Sequence, residues 1–161
     1  MKATTIFTTI LGAVAGAAGG AIATGNIEGK KIEKWKNMSD KHLSLFLLMN
    51  DWMRIKQEGK QIKEYFDKNG YQSVAIYGMS YIGERLLDEL RAAGIEVKYG
   101  IDRNADSVYV DLDVYSPDDT LMEVDVVVVT AICFYDEICN VLDGNVRCPI
   151  VSFEDILYEI G

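Results

Sequence analysis

Along the second half of this chain, short uninterrupted apolar runs alternate with stretches whose apolar residues recur every three or four positions, and the pattern begins just after Asn69-Gly70. Runs of four to eight apolar residues mark strands, while spacings of three and four mark one face of a helix. Ser73–Tyr77 is therefore expected as a strand, and Tyr81–Ala93 as a helix with Ile82, Leu86, Leu87 and Leu90 on its inner face, stopped by Gly94. Glu96–Ile101 reads as a second strand, with short extended pieces at Val108–Val110 and Val114. Val124–Thr130 is almost wholly apolar, as a strand covered on both faces must be. Phe134–Leu142 predicts a helix, Ile150–Ser152 a short last strand and Phe153–Ile160 a final helix. Strands alternating with helices in this way predict an α/β fold, a small doubly wound and mostly parallel sheet with right-handed crossovers.

Upstream the pattern is different. Ser39 or Asp40 can cap a helix whose stripe runs through Leu43, Phe46, Leu47, Asn50, Met53 and Arg54, with Gly59 as its weak point. Ile62, Tyr65 and Phe66 continue the pattern to a stop at Asn69-Gly70, so a helix is expected over residues 40–68. Trp52, Leu45, Leu48 and Met49 make its upper part apolar on more than one side. Such a helix either packs on both the domain and a partner copy or covers one sheet edge. Farther upstream, Ala3–Ile27 holds no charged residue over 25 positions, enough for a membrane-spanning helix, although its Gly, Ala and Thr content makes insertion marginal. Gly12, Gly16 and Gly20 recur every four residues, the small-xxx-small spacing that lets two helix backbones approach in lipid. A cleavable signal with Ala21-Ile22-Ala23 as its site is the competing expectation. Lys30, Lys31, Lys34 and Lys36 favour the anchor, with the α/β domain on the cytoplasmic side of the cytoplasmic membrane. Three regions result: residues 1–27 as anchor, 28–71 as basic linker and amphipathic helix, and 72–161 as the α/β domain.

Charge narrows the function classes. Residues 1–72 carry 11 Lys and Arg against 7 Asp and Glu, whereas residues 73–161 carry 5 against 18, within a total of −9. A domain so acidic repels a phosphate backbone, and nucleic acid is set aside as a partner. Cys133, Cys139 and Cys148 lack a C-x-x-C spacing and are expected as buried reduced thiols. With His42 the only histidine, a histidine metal cluster or catalytic triad has no material. Asp118, Asp119, Glu123 and Asp125 show no metal-ligand spacing and read as a solvated loop, so no metal is expected.

The candidate chemistry is concentrated where the first strand turns into a helix. Val74-Ala75-Ile76-Tyr77-Gly78-Met79-Ser80-Tyr81-Ile82-Gly83 reads G-x-S-x-x-G. In the dinucleotide fingerprint the first glycine makes the tight turn, the second admits a pyrophosphate to the backbone, and the third lets the helix pack on the strand. Gly78 and Gly83 fill the first and third roles, while Ser80 narrows the approach and offers a hydroxyl to a phosphate oxygen. The N–H groups opening the Tyr81 helix remain available to an anion, and Tyr81 itself, like Tyr77, can stack on a base or sugar. Asp102 ends the second strand where an acidic side chain reaches a ribose diol, and Arg103 beside it can neutralise a phosphate or close over a base. Thr130 follows the buried strand at the edge where ligands of open α/β sheets bind.

These segments, with Tyr115-Ser116-Pro117, Pro149-Ile150-Val151-Ser152 and Glu154-Asp155-Ile156-Leu157, resemble a recurring Rossmann-type domain of bacterial surface-polysaccharide and nucleotide-sugar proteins. The chain is similar to the amino-terminal nucleotide-sugar-binding half of bacterial sugar acetyltransferases and to NAD(P)- and CoA-binding domains. Two departures stand out: Ser80 replaces the middle glycine, and the sequence holds no second, catalytic half. The resemblance implies a membrane-tethered module that binds a nucleotide or nucleotide-sugar in support of polysaccharide assembly. Two alternatives stay open. One is a small NAD(P)-dependent oxidoreductase or sugar-modifying enzyme drawing its acid or base from Tyr77, Tyr81, Lys98 or a carboxylate, and the other is an oligomerising scaffold with a vestigial pocket.

Overall fold

The computed structural model of this protein describes residues 33–161. The proposed anchor, Ala3–Ile27, lies outside the described residues, and among those described no helix is long and apolar enough to cross a membrane. The chain divides into two compact units, Met1–Leu45 and Phe46–Gly161. The described part of the first is helical, and the second contains the whole sheet.

Helix α1 occupies residues 33–57 and α2 Lys63–Asn69, so the single helix expected over 40–68 is two. Neither Ser39 nor Asp40 starts it. The break falls at Gly59, whose φ of +78° reverses the chain. Lys60 N–H donates to Ile55 O (3.1 Å) and Gly59 N–H to Lys56 O (3.1 Å), the paired bonds of a Schellman stop. Helical periodicity continues across that stop in the sequence, and a period alone cannot reveal a reversal that glycine makes inexpensive. The buried face of α1 also differs from expectation. Leu48, Trp52 and Ile55 are inside, whereas Leu43, Phe46, Leu47 and Met53 are exposed. Trp52 decides the orientation: its ring meets Phe153 edge-on at 4.7 Å, and its indole N–H donates to Glu89 Oε2 (3.0 Å).

Five parallel strands follow: β1 Ser73–Tyr77, β2 Glu96–Ile101, β3 Val114–Tyr115, β4 Val126–Val129 and β5 Ile150–Ser152, in the order β3-β2-β1-β4-β5. Helices α3 Tyr81–Ala92, α4 Tyr135–Leu142 and α5 Phe153–Ile160 come after β1, β4 and β5. The sheet is wholly parallel, and most of its strand and helix boundaries agree with the hydrophobic pattern within two residues. The exception is Val108–Val110, which is irregular: Ala105–Ser107 forms one 3-10 turn and the ladder resumes only at Val114. Three apolar residues are not enough when they have no strand to pair with.

Alternation along the strands gives the sheet two apolar faces. Ala75, Tyr77, Tyr99, Ile101, Val127 and Val129 pack with Ile138 and Leu142 of α4, so the β4–α4–β5 crossover covers this side. Val74, Ile76 and Gly100 alternate onto the other side, where Met79 lies so close that a Cβ on Gly100 would stand 2.7 Å from its Cγ. The β3–β4 crossover contains no helix. It is held by side chains instead, with Tyr99 donating to Met122 O (2.6 Å) and Asn145 to Pro117 O (3.0 Å). Burial pushes the Tyr99 phenol up to about 12, which keeps it a neutral donor.

Within the acidic stretch, Asp125 is a clamp rather than a free surface charge. One of its oxygens accepts from Gln72 N–H (2.8 Å), Ser73 N–H (2.7 Å) and the Ser73 hydroxyl (2.9 Å), tying the start of β1 to β4. The Gln72 N–H bond first and the Ser73 bonds next stabilise the ionised form and lower its pKa. A carboxyl lowered by folding contributes stability above its unfolded pKa and loses it as pH falls through the folded one. Asp125→Asn keeps an acceptor and removes the charge. Denaturant titrations should find this variant less stable than wild type near neutrality, with the gap steady down to about pH 5 and closing only as pH falls through the lowered carboxyl range. A gap that does not change with pH would contradict the clamp.

Candidate functional site

Strand order reverses between β1 and β4, because β1 leads outward to β2 on one side while β4 leads to β5 on the other. A crevice opens at the carboxyl ends of two strands that part in this way, and ligands of open α/β sheets bind there. Gly78, Met79, Ser80 and Thr130 all lie at this reversal.

The turn is built by contact as well as by sequence. Gly78 has φ +96°, and a Cβ there would stand 2.8 Å from Thr130 Oγ1 and 3.3 Å from Ala131 Cβ. Gly78 N–H donates to Ile101 O (2.8 Å), and Thr130 N–H to Tyr77 O (2.9 Å), so the turn is tied to strands on both sides. The Thr130 hydroxyl is buried and donates to Gly78 O (2.6 Å), with Tyr77 O at 3.1 Å. Thr130 is therefore a brace for the turn, with its hydroxyl directed at the backbone. Gly83 lies under the same carbonyl, since a Cβ on it would come within 2.2 Å of Gly78 O. These two glycines carry the roles expected of the first and third positions of the motif.

Ser80 is exposed and occupies the N-cap of α3 without a side-chain cap bond. The first intrahelical bond is Glu84 N–H to Ser80 O (2.9 Å), leaving the Tyr81, Ile82 and Gly83 N–H groups without helical acceptors. Tyr81 is 88% exposed, so its ring is free to move over this end of the helix. Asp102 comes to the same turn: one carboxylate oxygen accepts from Met79 N–H (3.0 Å) and the other from Asn104 N–H (2.9 Å). Each oxygen keeps a lone pair, enough to accept from a ribose hydroxyl as well.

Arg103 pairs with Glu137 in the first turn of α4, at 2.8 Å. Glu137, and after it Tyr77, raise the pKa of this guanidinium. The Tyr77 hydroxyl is buried with no hydrogen-bond partner of good geometry, although Arg103 is near enough to sense it. The pair thus links the end of β2 to the start of α4. Both side chains are about half exposed, and such pairs contribute little to stability, so an anionic ligand can displace Glu137 at little expense.

The structure thus brings Gly78, Ser80, Gly83, Asp102 and Thr130 to one turn, with Tyr81 on its helix and Arg103 turned toward α4. Sequence reasoning did not find Glu137, which lies in no motif. Gly100 was legible in principle, because a glycine inside a strand marks a close approach, here that of Met79. The cysteine expectation is corrected: all three are free, but Cys133 is exposed, and Cys139 and Cys148 are only half-buried. Cys133 lies in the 3-10 turn after β4, beyond the covered strand, where the chain meets solvent. Among the described residues no cluster of His, Cys, Asp and Glu can hold a metal ion. No protein-family model, curated protein or solved structure matches this chain.

Proposed function

We propose that residues 72–161 form a Rossmann-like module that binds a nucleotide or nucleotide-sugar over the Gly78–Gly83 turn, tethered by the amino-terminal run to the cytoplasmic face of a membrane. In this reading the module serves surface-polysaccharide assembly, and NAD(P) is the alternative ligand of the same turn. The observation that carries it is a positive-φ glycine turn opening into an uncapped helix at the strand-order reversal. Phosphate oxygens accept from the free N–H groups of the α3 amino terminus, favoured by its partial positive charge. Ser80 adds a hydroxyl donor, Asp102 accepts from the ribose diol, and Arg103 leaves Glu137 for a second anionic group.

A second reading, a scaffold whose pocket is empty, is favoured by the engagement of Asp102 with its own turn. Calorimetry of the full-length protein against NAD, NADP, a UDP-sugar and acetyl-CoA separates the two. At least one should bind, and Asp102→Ala should weaken it by about 1–3 kcal/mol if a ribose diol is held by the charged oxygen. Failure of all four to bind the folded protein would overturn the ligand reading in favour of the scaffold.

A further inference from the structure

Tyr77 is the last residue of β1, in register with Ile101 at the end of β2 and Val129 at the end of β4. It is 3% exposed and belongs to the apolar cluster that includes Ile101, Val129, Ile138 and Leu142. Phenylalanine would fill such a place without burying a polar atom. Among the described residues, the Tyr77 hydroxyl is the one buried side-chain oxygen or nitrogen without a hydrogen-bond partner. A buried donor left unmade costs stability, and native proteins satisfy nearly all of them. This one stands at the carboxyl edge of the sheet, one residue before the Gly78 turn.

The groups around this hydroxyl define what would satisfy it. Glu137 first and Tyr77 next raise the pKa of the Arg103 guanidinium, so the three side chains lie together. A guanidinium only donates: Arg103 can approach the phenol oxygen but cannot take its hydrogen. The missing partner is an acceptor. Glu137 is 57% exposed and can turn into solvent, leaving Arg103 to an acceptor that carries negative charge. A phosphate meets both demands, since its oxygens accept from the phenol and match the paired donors of a guanidinium. Between Lys98 and Arg147 the sequence has no other Lys or Arg, so Arg103 is the cation that the loops after β2 and β4 supply. Asp102, its neighbour in the chain, accepts from Met79 N–H (3.0 Å) and so ties this cluster to the turn that opens α3.

Resting on the nucleotide reading above, we infer that the Tyr77 hydroxyl and Arg103 form a second phosphate subsite next to the Gly78 turn, by which the protein selects nucleoside diphosphates over monophosphates. Calorimetry of the full-length protein against UDP, UMP, ADP and AMP should find at least one diphosphate bound roughly ten-fold or more tightly than its monophosphate. Tyr77→Phe removes only the hydroxyl. It should weaken that diphosphate by roughly ten-fold and leave the monophosphate unchanged. Without nucleotide, the same variant should have a urea midpoint at or above that of wild type, because it deletes a donor that the fold leaves without an acceptor. A lower midpoint would show that the hydroxyl is satisfied within the protein. A diphosphate held equally by variant and wild type, or no more tightly than its monophosphate, would show that the hydroxyl serves no phosphate. Each of these results overturns this inference and leaves the nucleotide reading standing. Binding of none of the four by wild type also overturns it, and the nucleotide reading falls with it only if NAD, NADP, a UDP-sugar and acetyl-CoA fail as well.

Discussion

Gly83→Ala is expected to destabilise the domain by about 3 kcal/mol, at the upper end of what overpacking a tight core costs. Glycine inside a helix is ordinarily a weakness, and alanine there gains about 0.5–1 kcal/mol. At this position the sign reverses, because the added Cβ would come within 2.2 Å of Gly78 O and 3.1 Å of Gly78 C. Neither atom belongs to a side chain that can swing away. To relieve the contact, α3 must lift from β1 or the Gly78 turn must open, and either movement displaces Met79 N–H from Asp102. Urea denaturation of wild type and variant measures the difference. A loss below about 1 kcal/mol would show that the helix and turn are not packed as described.

The second large effect is expected at Trp52. Trp52→Ala should cost about 3–5 kcal/mol, the usual range for removing a large aromatic side chain from a core. Its ring is 4% exposed and joins α1 to Phe153 at the start of α5 and, through Glu89, to α3. Trp52→Phe keeps part of the ring contact while losing the rest of it and the indole N–H, so it should cost less than alanine. Glu89 would then rely on Lys56, with which it already forms an ion pair. Equal stability of Trp52→Ala and wild type in urea would mean that α1 is dispensable to the domain.

These two residues illustrate what the sequence makes legible. Gly83 lies in a motif whose spacing follows from backbone geometry, so its place under the turn can be anticipated from the sequence. The strands can be read in the same way: Val126–Val129 is buried on both sides, and only an uninterrupted apolar run can fill such a position. Trp52 was visible only as one of several apolar residues on α1. Which stripe turns inward depends on Phe153 and Glu89, about 100 and 37 positions away, and no local period contains that information. The same holds at the candidate site. Asp102 was found at its strand end, but its bond to Met79 N–H and the pairing of Arg103 with Glu137 depend on how loops meet in space.

The central claim is that the Gly78–Gly83 turn is where a nucleotide-type ligand binds. Amide chemical-shift mapping of the full-length protein in detergent, titrated with whichever of NAD, NADP, UDP-sugar or acetyl-CoA binds in calorimetry, tests the location directly. The account predicts the largest shifts at Ser80, Tyr81, Ile82 and Gly83, with Asp102, Arg103 and Ala131 following at the same ligand concentration. Shifts confined to residues away from this edge, such as those lining the groove beside Met49 and Arg85, with the Ser80–Gly83 amides unmoved at saturation, would contradict it.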